Sequence, residues 1–159
     1  MNIEIISVGK LKEKYLKQGI KEYLKRMGPY AKVKLIELAD EATGDNMSDR
    51  EIDLVLSKEA DRIMPHLSPD RKVIVLAIEG QLVTSEDLAK QLDDYATYGS
   101  SKVSFVIGGS LGLHARVKDR ADWLVSLGRI TLPHQLSRLV LMEQIYRAYR
   151  IIHGHAYHK

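Results

Sequence analysis

The sequence predicts an α/β protein in which a mostly parallel sheet of about five or six strands is flanked by helices. Along the 159 residues, short apolar segments alternate with segments whose apolar residues recur at helical spacing. The segment 73–78 is apolar at every position, which is typical of a strand in the middle of a parallel sheet covered by helices on both faces. We expect one domain, residues 1–159, with its own core.

The candidate strands are short apolar segments that end at turn residues. In chain order they are residues 3–8, 33–38, 73–78, 103–107 and 127–132. The first ends at Gly9, the fourth runs directly into the glycine turn 108–112, and the fifth runs directly into Pro133. Each is followed by a helical segment, which predicts a β-α unit repeated along the whole chain.

The candidate helices begin and end at residues that favour helix termini. In chain order they are residues 11–27, 48–63, 84–99, 115–124 and 133–153. Ser48 and Glu51 form a capping box, and Thr84 caps the third helix. Gly28 and Gly99 stand where the first and third helices end.

The last predicted helix carries apolar residues on two sides. One cluster contains Leu136, Leu139 and Val140, and the other contains Leu141, Met142, Ile145, Tyr149 and Ile152. A helix that covers only its own sheet needs one apolar face. We therefore expect a homodimer that pairs through this helix.

Two strand ends point to a ligand site. Residues 103–107 lead into Gly108-Gly-Ser-Leu-Gly112, and residues 127–132 lead into Pro133. At the carboxyl ends of neighbouring parallel strands these junctions would face one crevice, where open α/β sheets hold nucleotide-like ligands. Glycine residues let the backbone approach such a ligand closely. A tight turn that serves only the path of the chain is the alternative.

Other site classes have little support in the residues. The chain has no cysteine, no Gly-Lys-Ser/Thr phosphate loop and no Gly-x-Ser-x-Gly elbow. His153, His155 and His158 match no zinc spacing, and we expect no metal site. No secretory segment or bilayer-spanning apolar run is visible, so we expect a cytoplasmic protein.

The charge is unevenly distributed, although the formal net charge is only +3. Residues 10–34 contain nine Lys or Arg against two Glu, and residues 37–70 contain three basic against ten acidic residues. Two solvated helix faces of opposite sign are one interpretation. A basic surface for phosphate groups, which the largely cationic segment after Ser137 would extend, is the other.

Four spaced motifs carry a resemblance to a known family. They are Gly108-Gly-Ser-Leu-Gly112, Leu127-Gly-Arg-Ile-Thr-Leu-Pro-His134, a helix with Arg138, Glu143, Tyr146 and Arg147, and the segment His155-Ala-Tyr-His-Lys159. Together they resemble the small SPOUT-class RNA methyltransferases of the RlmH family, and the resemblance covers the whole chain. The family's tail commonly has a proline where Ala156 stands here.

The resemblance implies an S-adenosylmethionine-dependent enzyme that methylates N3 of a pseudouridine in 23S ribosomal RNA, acting on assembled ribosomes or large subunits. It also implies a C-terminal trefoil knot that holds the methyl donor and a homodimer whose knots lie at the interface. Carried over by position, the cofactor-binding residues are Leu76, Gly108, Leu127, Gly128, Arg129, Ile130, Thr131 and Leu132.

Three residues are candidates for the chemistry. A cation near N3 would stabilise the imidate that forms there, and Arg138 is the candidate; a surface arginine paired with Glu143 is the alternative. Tyr157 and His158, from the same or the other subunit, are candidates for contacting the target base. An unperturbed histidine side chain such as that of His158 has a pKa suited to accepting a proton near neutral pH. The alternative is that both residues belong to a frayed terminus.

Two other functions also fit the sequence. One is a catalytically silent RNA- or ribosome-binding α/β dimer with the same fold. The other is a methyltransferase that acts on small molecules.

Overall fold

The computed structural model describes residues 1–157, which alternate strand and helix as predicted. The strands are β1 (Asn2–Val8), β2 (Lys32–Leu38), β3 (Lys72–Leu82), β4 (Lys102–Ile107) and β5 (Trp123–Ser126). The helices are α1 (Lys14–Met27), α2 (Asp49–Ile63), α3 (Ser85–Asp94), α4 (Ala115–Arg120) and α5 (His134–Ile152). A 3₁₀ turn (Met64–His66) follows α2, and a π-helical turn (Tyr95–Gly99) follows α3.

The strands form one parallel sheet in the order β2-β1-β4-β3-β5. In this register Ile5 of β1 lies between Leu35 of β2 and Phe105 of β4. Val73 and Ile74 are fully buried, because β3 is an interior strand with β4 and β5 on its two sides. The predicted α/β class is confirmed, although the middle strand is β4 and not β3.

Helices cover both faces of the sheet, because alternate strand residues point to opposite sides. On one face α1, α3 and α5 pack over Ile3, Ile5, Ile74 and Phe105. On the other face α2 and α4 pack over Ile6, Val8, Val73 and Val106. Both predicted capping motifs are present, with the Ser48 hydroxyl accepting from the Glu51 N–H and the Thr84 hydroxyl accepting from the Asp87 N–H.

The two apolar sides of α5 have neighbours within the same chain. Leu139 packs on α1 so closely that a Cβ atom at Gly19 would come within 2.9 Å of the Leu139 Cδ1. On the other side, Ser85 of α3 donates a hydrogen bond to Gln144 of α5 at 2.6 Å. Leu141, Met142, Ile145 and Tyr149 are buried in the core of the same chain, whereas Leu136, Leu139 and Val140 are only partly buried. The homodimer through this helix therefore stays a prediction.

The fifth strand lies earlier in the chain than the sequence predicts. Residues 123–126 form β5, α4 ends at Arg120, and residues 127–133, which we predicted to be mostly strand, form a loop. The strand ends because the Ser126 hydroxyl accepts from the Gly128 N–H at 3.2 Å and donates to the Gly128 carbonyl at 2.8 Å. Gly128 itself has a φ of +140°, which a side chain would disfavour.

Among residues 1–157, no helix combines the length and the apolar composition that crossing a lipid bilayer demands.

Candidate functional site

A cavity of about 800 Å³ opens at the carboxyl ends of β3, β4 and β5, a size typical of small-molecule sites. Most of its wall comes from residues in three separated segments, 76–79, 107–113 and 125–134. The two junctions singled out in the sequence therefore face one cavity, as predicted. Their strands are not neighbours, however, because β3 lies between β4 and β5.

The glycine turn after β4 brings main chain to the cavity wall. The Gly112 N–H donates to the Gly109 carbonyl at 3.1 Å, and Gly112 has a φ of +89°. A Cβ atom at Gly108 would lie 2.5 Å from the Gly112 carbonyl oxygen, far inside van der Waals contact. Position 108 therefore requires glycine for this turn to close.

A bulge in β3 supplies the second segment of the wall. Leu76 and Gln81 both pair with Val125, so residues 77–80 leave the regular ladder. A Cβ atom at Gly80 would lie 2.7 Å from the Val125 carbonyl carbon, so glycine permits the close approach of β3 and β5 here. The bulge places Ile78 and Glu79 on the cavity wall.

The loop 127–133 supplies the third segment. The Arg129 guanidinium donates to the Ile78 carbonyl and so ties this loop to the bulge of β3. Ile130 is 83% exposed at the cavity mouth, which leaves an apolar side chain facing outward.

Seven of the eight predicted cofactor-binding residues lie on this wall. They are Leu76, Gly108, Leu127, Gly128, Ile130, Thr131 and Leu132. The eighth, Arg129, is not part of the wall, because its side chain bonds to the Ile78 carbonyl.

One ion pair stands on the cavity wall. The Lys118 ammonium donates to a Glu79 carboxylate oxygen at 2.6 Å. This hydrogen bond is the main cause that lowers the pKa of Glu79 below its usual value. Among residues 1–157 no group of three or more His, Cys, Asp or Glu side chains is arranged to hold a metal ion.

Arg138 lies beside the cavity, one turn into α5, with its side chain only 4% exposed. Its Nη2 donates to the carbonyls of Val8 and Gly9 at 2.8 Å each, and its Nη1 donates to Glu37 at 3.0 Å. Burial lowers the pKa of Arg138, and the nearby Glu37 carboxylate opposes that shift. Arg138 does not contribute to the wall of the cavity in its own chain.

The alternative interpretation of Arg138 as a surface partner of Glu143 is wrong. Glu143 instead pairs with Arg147 one turn further along α5, at 2.8 Å.

Tyr157 folds back onto the middle of α5. Its ring meets Tyr146 edge-on with 5.0 Å between centroids, and the Arg147 guanidinium lies 4.4 Å from its centroid. Burial is the first cause that raises the pKa of Tyr157 above the usual phenol value. Tyr157 is not part of the cavity wall of its own chain. The third predicted catalytic residue, His158, lies outside the described residues.

Several side chains on the wall were not predicted from the sequence, among them Ile78, Glu79 and Lys118. His134 and Ser137, in the first turn of α5, are two more. Burial, and then the positive charge of Arg138, lower the pKa of His134, which favours its neutral ring. Pro133 could have predicted the positions of His134 and Ser137. Proline favours the start of a helix, so the side chains that follow it lie in the first turn, beside the crevice.

Comparison with known proteins assigns the family. A family model described as "Predicted SPOUT methyltransferase" matches residues 1–158. The chain belongs to the SPOUT methyltransferase family. One solved structure with a similar fold, "a probable methylase family protein from Haemophilus influenzae Rd KW20", has a TM-score of 0.55 and 14% identity. It covers 99% of this chain and 70% of its own length, and it supports the fold alone.

Several curated relatives of this SPOUT protein carry one name, "Ribosomal RNA large subunit methyltransferase H". Those of Bacillus pumilus (strain SAFR-032) and Lysinibacillus sphaericus (strain C3-41) are each 58% identical to it over 159 residues. That of Bacillus thuringiensis (strain Al Hakam) is 59% identical. Each alignment covers 100% of both proteins.

Proposed function

We propose that this SPOUT protein is an S-adenosylmethionine-dependent methyltransferase that modifies N3 of a pseudouridine in 23S ribosomal RNA. It acts in the cytoplasm on assembled ribosomes or large subunits. The observation that carries the proposal is the convergence of three backbone segments on one cavity at the carboxyl ends of parallel strands. Relatives named for large-subunit ribosomal RNA methylation, at 58% and 59% identity over the full chain, support the substrate class.

The cavity wall suits a nucleoside-type methyl donor. Leu76, Leu127 and Leu132 offer apolar surface for an adenine ring. Gly108 and Gly128 leave main-chain groups uncovered by side chains, so that the ring edge can be bound by backbone donors and acceptors. When bound, S-adenosylmethionine supplies a methyl group on a positively charged sulfur that leaves as a neutral thioether.

The acceptor nitrogen must lose its proton as its bond to the methyl carbon forms and the sulfur–methyl bond breaks. Arg138 is the proposed cation for the negative charge that develops on the imide. Three of its five N–H groups are given to Glu37, Val8 and Gly9, and its buried Nε–H, which has no hydrogen-bond partner among residues 1–157, is one of the two that remain. His158 is the proposed proton acceptor, and Tyr157 the proposed contact to the base.

The proposed active form is a homodimer in which the tail of one protomer serves the cavity of the other. In its own chain Tyr157 packs on Tyr146 and Arg147 and is not part of the cavity wall, so we assign it to the cavity of a partner. Exposed apolar side chains beside the cavity offer a surface for that partner: Ile78 is 48% exposed, Leu82 55% and Ile130 83%.

A C-terminal trefoil knot is part of the proposal. It is supported by the contact between loop 127–133 and the β3 bulge through Arg129 and Ile78. It is also supported by the position of β5 outside β3, so that the chain must return past β3 before α5 begins. Knots are rare in proteins, and the family likeness is what raises this expectation.

The proposal is tested by methyl transfer and donor binding together. We expect calorimetry to find one S-adenosylmethionine site per protomer, and labelled methyl groups to enter large subunits from cells that lack this enzyme. Nucleoside mass spectrometry should then find N3-methylated pseudouridine. If the protein binds the donor and transfers labelled methyl groups to small metabolites but not to RNA, it is a small-molecule methyltransferase. No donor binding at all would leave the silent RNA-binding dimer.

A further inference from the structure

Six exposed lysines form a row on the face of the protein that carries α1. They are Lys10 and Lys12 in the loop after β1, and Lys14, Lys17, Lys21 and Lys25 on α1; we call them the lysine row. Within residues 1–157, none of them lies within 4.0 Å of a carboxylate oxygen. The nearby Glu22 is paired with Arg26 at 3.1 Å, so its charge is already matched.

Of the seven other lysines in the described chain, four have carboxylate partners: Lys58 with Glu41 at 3.7 Å, Lys90 with Asp94 at 2.7 Å, Lys102 with Asp70 at 2.9 Å and Lys118 with Glu79 at 2.6 Å. Lys32 and Lys34 lie on the edge strand β2, and Lys72 lies over the Tyr95 ring. The lysine row is therefore set apart because it gathers six lysines without carboxylate partners in one short segment.

Helical geometry concentrates four of these charges. At 100° per residue, Lys14, Lys17, Lys21 and Lys25 fall within a sector of about 80° and extend over about 16 Å of α1. The opposite side of α1 buries Leu16, Ile20 and Met27 in the core. A narrow line of charge of this kind matches a linear polyanion.

The lysine row begins at the rim of the cavity. The Lys12 N–H donates to the Gln135 side-chain oxygen at 3.2 Å, and Gln135 directly follows His134 of the cavity wall. A polyanion on the row would thus be led to the mouth of the site.

The helices of the other face carry no comparable row. On α2 the exposed Asp49, Glu51, Asp53 and Asp61 are interspersed with Arg50, Lys58 and Arg62. Since α1 and α2 lie on opposite faces of the sheet, the unpaired positive charge of the lysine row favours approach of a polyanion from the α1 side.

We propose that the lysine row binds the phosphate backbone of the substrate RNA next to the nucleotide that enters the cavity. Tyr15, 63% exposed on the flank of the row, provides an aromatic surface for an unpaired base. An anionic membrane is the poorer match, because a membrane-binding helix inserts its apolar face and that of α1 is buried. The inference rests on the proposed function for the identity of the RNA.

The test compares two triple variants with the same change in charge. Lys17→Gln/Lys21→Gln/Lys25→Gln removes three row lysines, and Lys58→Gln/Lys90→Gln/Lys102→Gln removes three exposed lysines that have carboxylate partners. Affinity is measured for isolated large ribosomal subunits and for vesicles of anionic phospholipid over a range of salt concentrations. Donor titration of each variant reports whether the cavity is intact.

We expect the row variant to bind large subunits on the order of 50- to 150-fold more weakly at about 0.15 M salt, with a salt slope lower by about 2 to 3. The loss should appear in KM for the RNA and not in donor affinity. The matched control should bind large subunits nearly as well as wild type.

Equal losses in both variants, or an unchanged salt slope in the row variant, would overturn the inference. So would a row variant that loses vesicle binding and keeps its affinity for subunits. Failure of the proposed function gives a different result. In that case the wild-type protein transfers no methyl group to large subunits, and this outcome does not depend on what the row variant binds.

Discussion

Arg138 of α5 and Glu37 of β2 meet at 3.0 Å between Nη1 and Oε2, across 101 positions of sequence. Glu37 also accepts from the Leu11 N–H at 2.8 Å, so one carboxylate joins the β1–α1 loop to the helix that borders the cavity. The contact fixes the start of α5 against the carboxyl ends of β1 and β2. Removal of this contact should therefore lower the free energy of unfolding and change the shape of the cavity.

Replacement of Arg138 should be more costly than replacement of its partner. We expect Arg138→Met to lower the free energy of unfolding by about 3 kcal/mol, because two buried carbonyls lose their donor together with the carboxylate. Glu37→Gln should cost about 1 kcal/mol, since this carboxylate is 38% exposed and screened by water. Urea denaturation of both variants and of the double variant measures the coupling. Equal costs for the two single variants would contradict this account.

The glycine turn should tolerate no side chain at position 108. Gly108→Ala puts a Cβ atom 2.5 Å from the Gly112 oxygen, so we expect a loss of about 2 kcal/mol in stability and at least about tenfold weaker donor binding. Gly44→Ala is the matched control, because nothing lies within 4 Å of the added atom. Its stability should change by less than about 0.5 kcal/mol. Thermal unfolding and calorimetric titration give the two readouts, and an unaffected Gly108→Ala protein would disprove the turn geometry.

Stability should depend on pH through His134. Its folded-state pKa lies below the usual 6.5, first because of burial, so the folded chain binds fewer protons there than the unfolded chain. The contribution of the neutral His134 ring to the free energy of unfolding is fully present above pH 6.5 and is lost as the pH falls below that value. We expect the difference in unfolding free energy between wild type and His134→Gln to shrink on going from about pH 7.5 to about pH 5.5. An imidazole NMR titration of His134 centred at or above 6.5 would contradict it.

The tail should serve the cavity of the other protomer. In mixtures of Gly108→Ala and Tyr157→Ala chains, each mixed dimer would contain one intact cavity with one intact tail. Random pairing should then restore about one quarter of wild-type methyl transfer, although each variant alone is nearly inactive. If every tail serves its own cavity, mixing restores nothing. Tyr157→Phe separates the hydroxyl from the ring, which packs on Tyr146.

Local signals in the sequence were sufficient for the order of elements and the region of the site. Alternation of apolar segments gave the strands, and the Ser48 and Thr84 caps marked two helix starts that the structure confirms. The glycine turn predicted a close backbone approach, and Gly108 now lies on the cavity wall.

Features that depend on distant residues could not be predicted in the same way. The bulge at residues 77–80 arises because Leu76 and Gln81 both pair with Val125, and nothing local marks it. The two-sided apolar pattern of α5 suggested a partner chain; within the chain α1 contacts Leu139 and α3 contacts Gln144, and the homodimer stays a prediction. Lys32 and Lys34 also belong to the basic segment of the sequence, yet they lie on β2, where charges protect an edge strand from pairing.

The wall of the cavity is made in large part from the path of the main chain. Gly108, Gly112 and Gly128 contribute no side chains, and residues 77–80 reach the wall through a bulge. This part of the wall depends on the glycines themselves, since a Cβ atom at Gly108 would meet the Gly112 oxygen. A one-residue insertion or deletion in 108–112 or 127–133 would displace several contact groups at once. Loop length and the glycines that shape the loops are therefore the properties that selection has to preserve around this site.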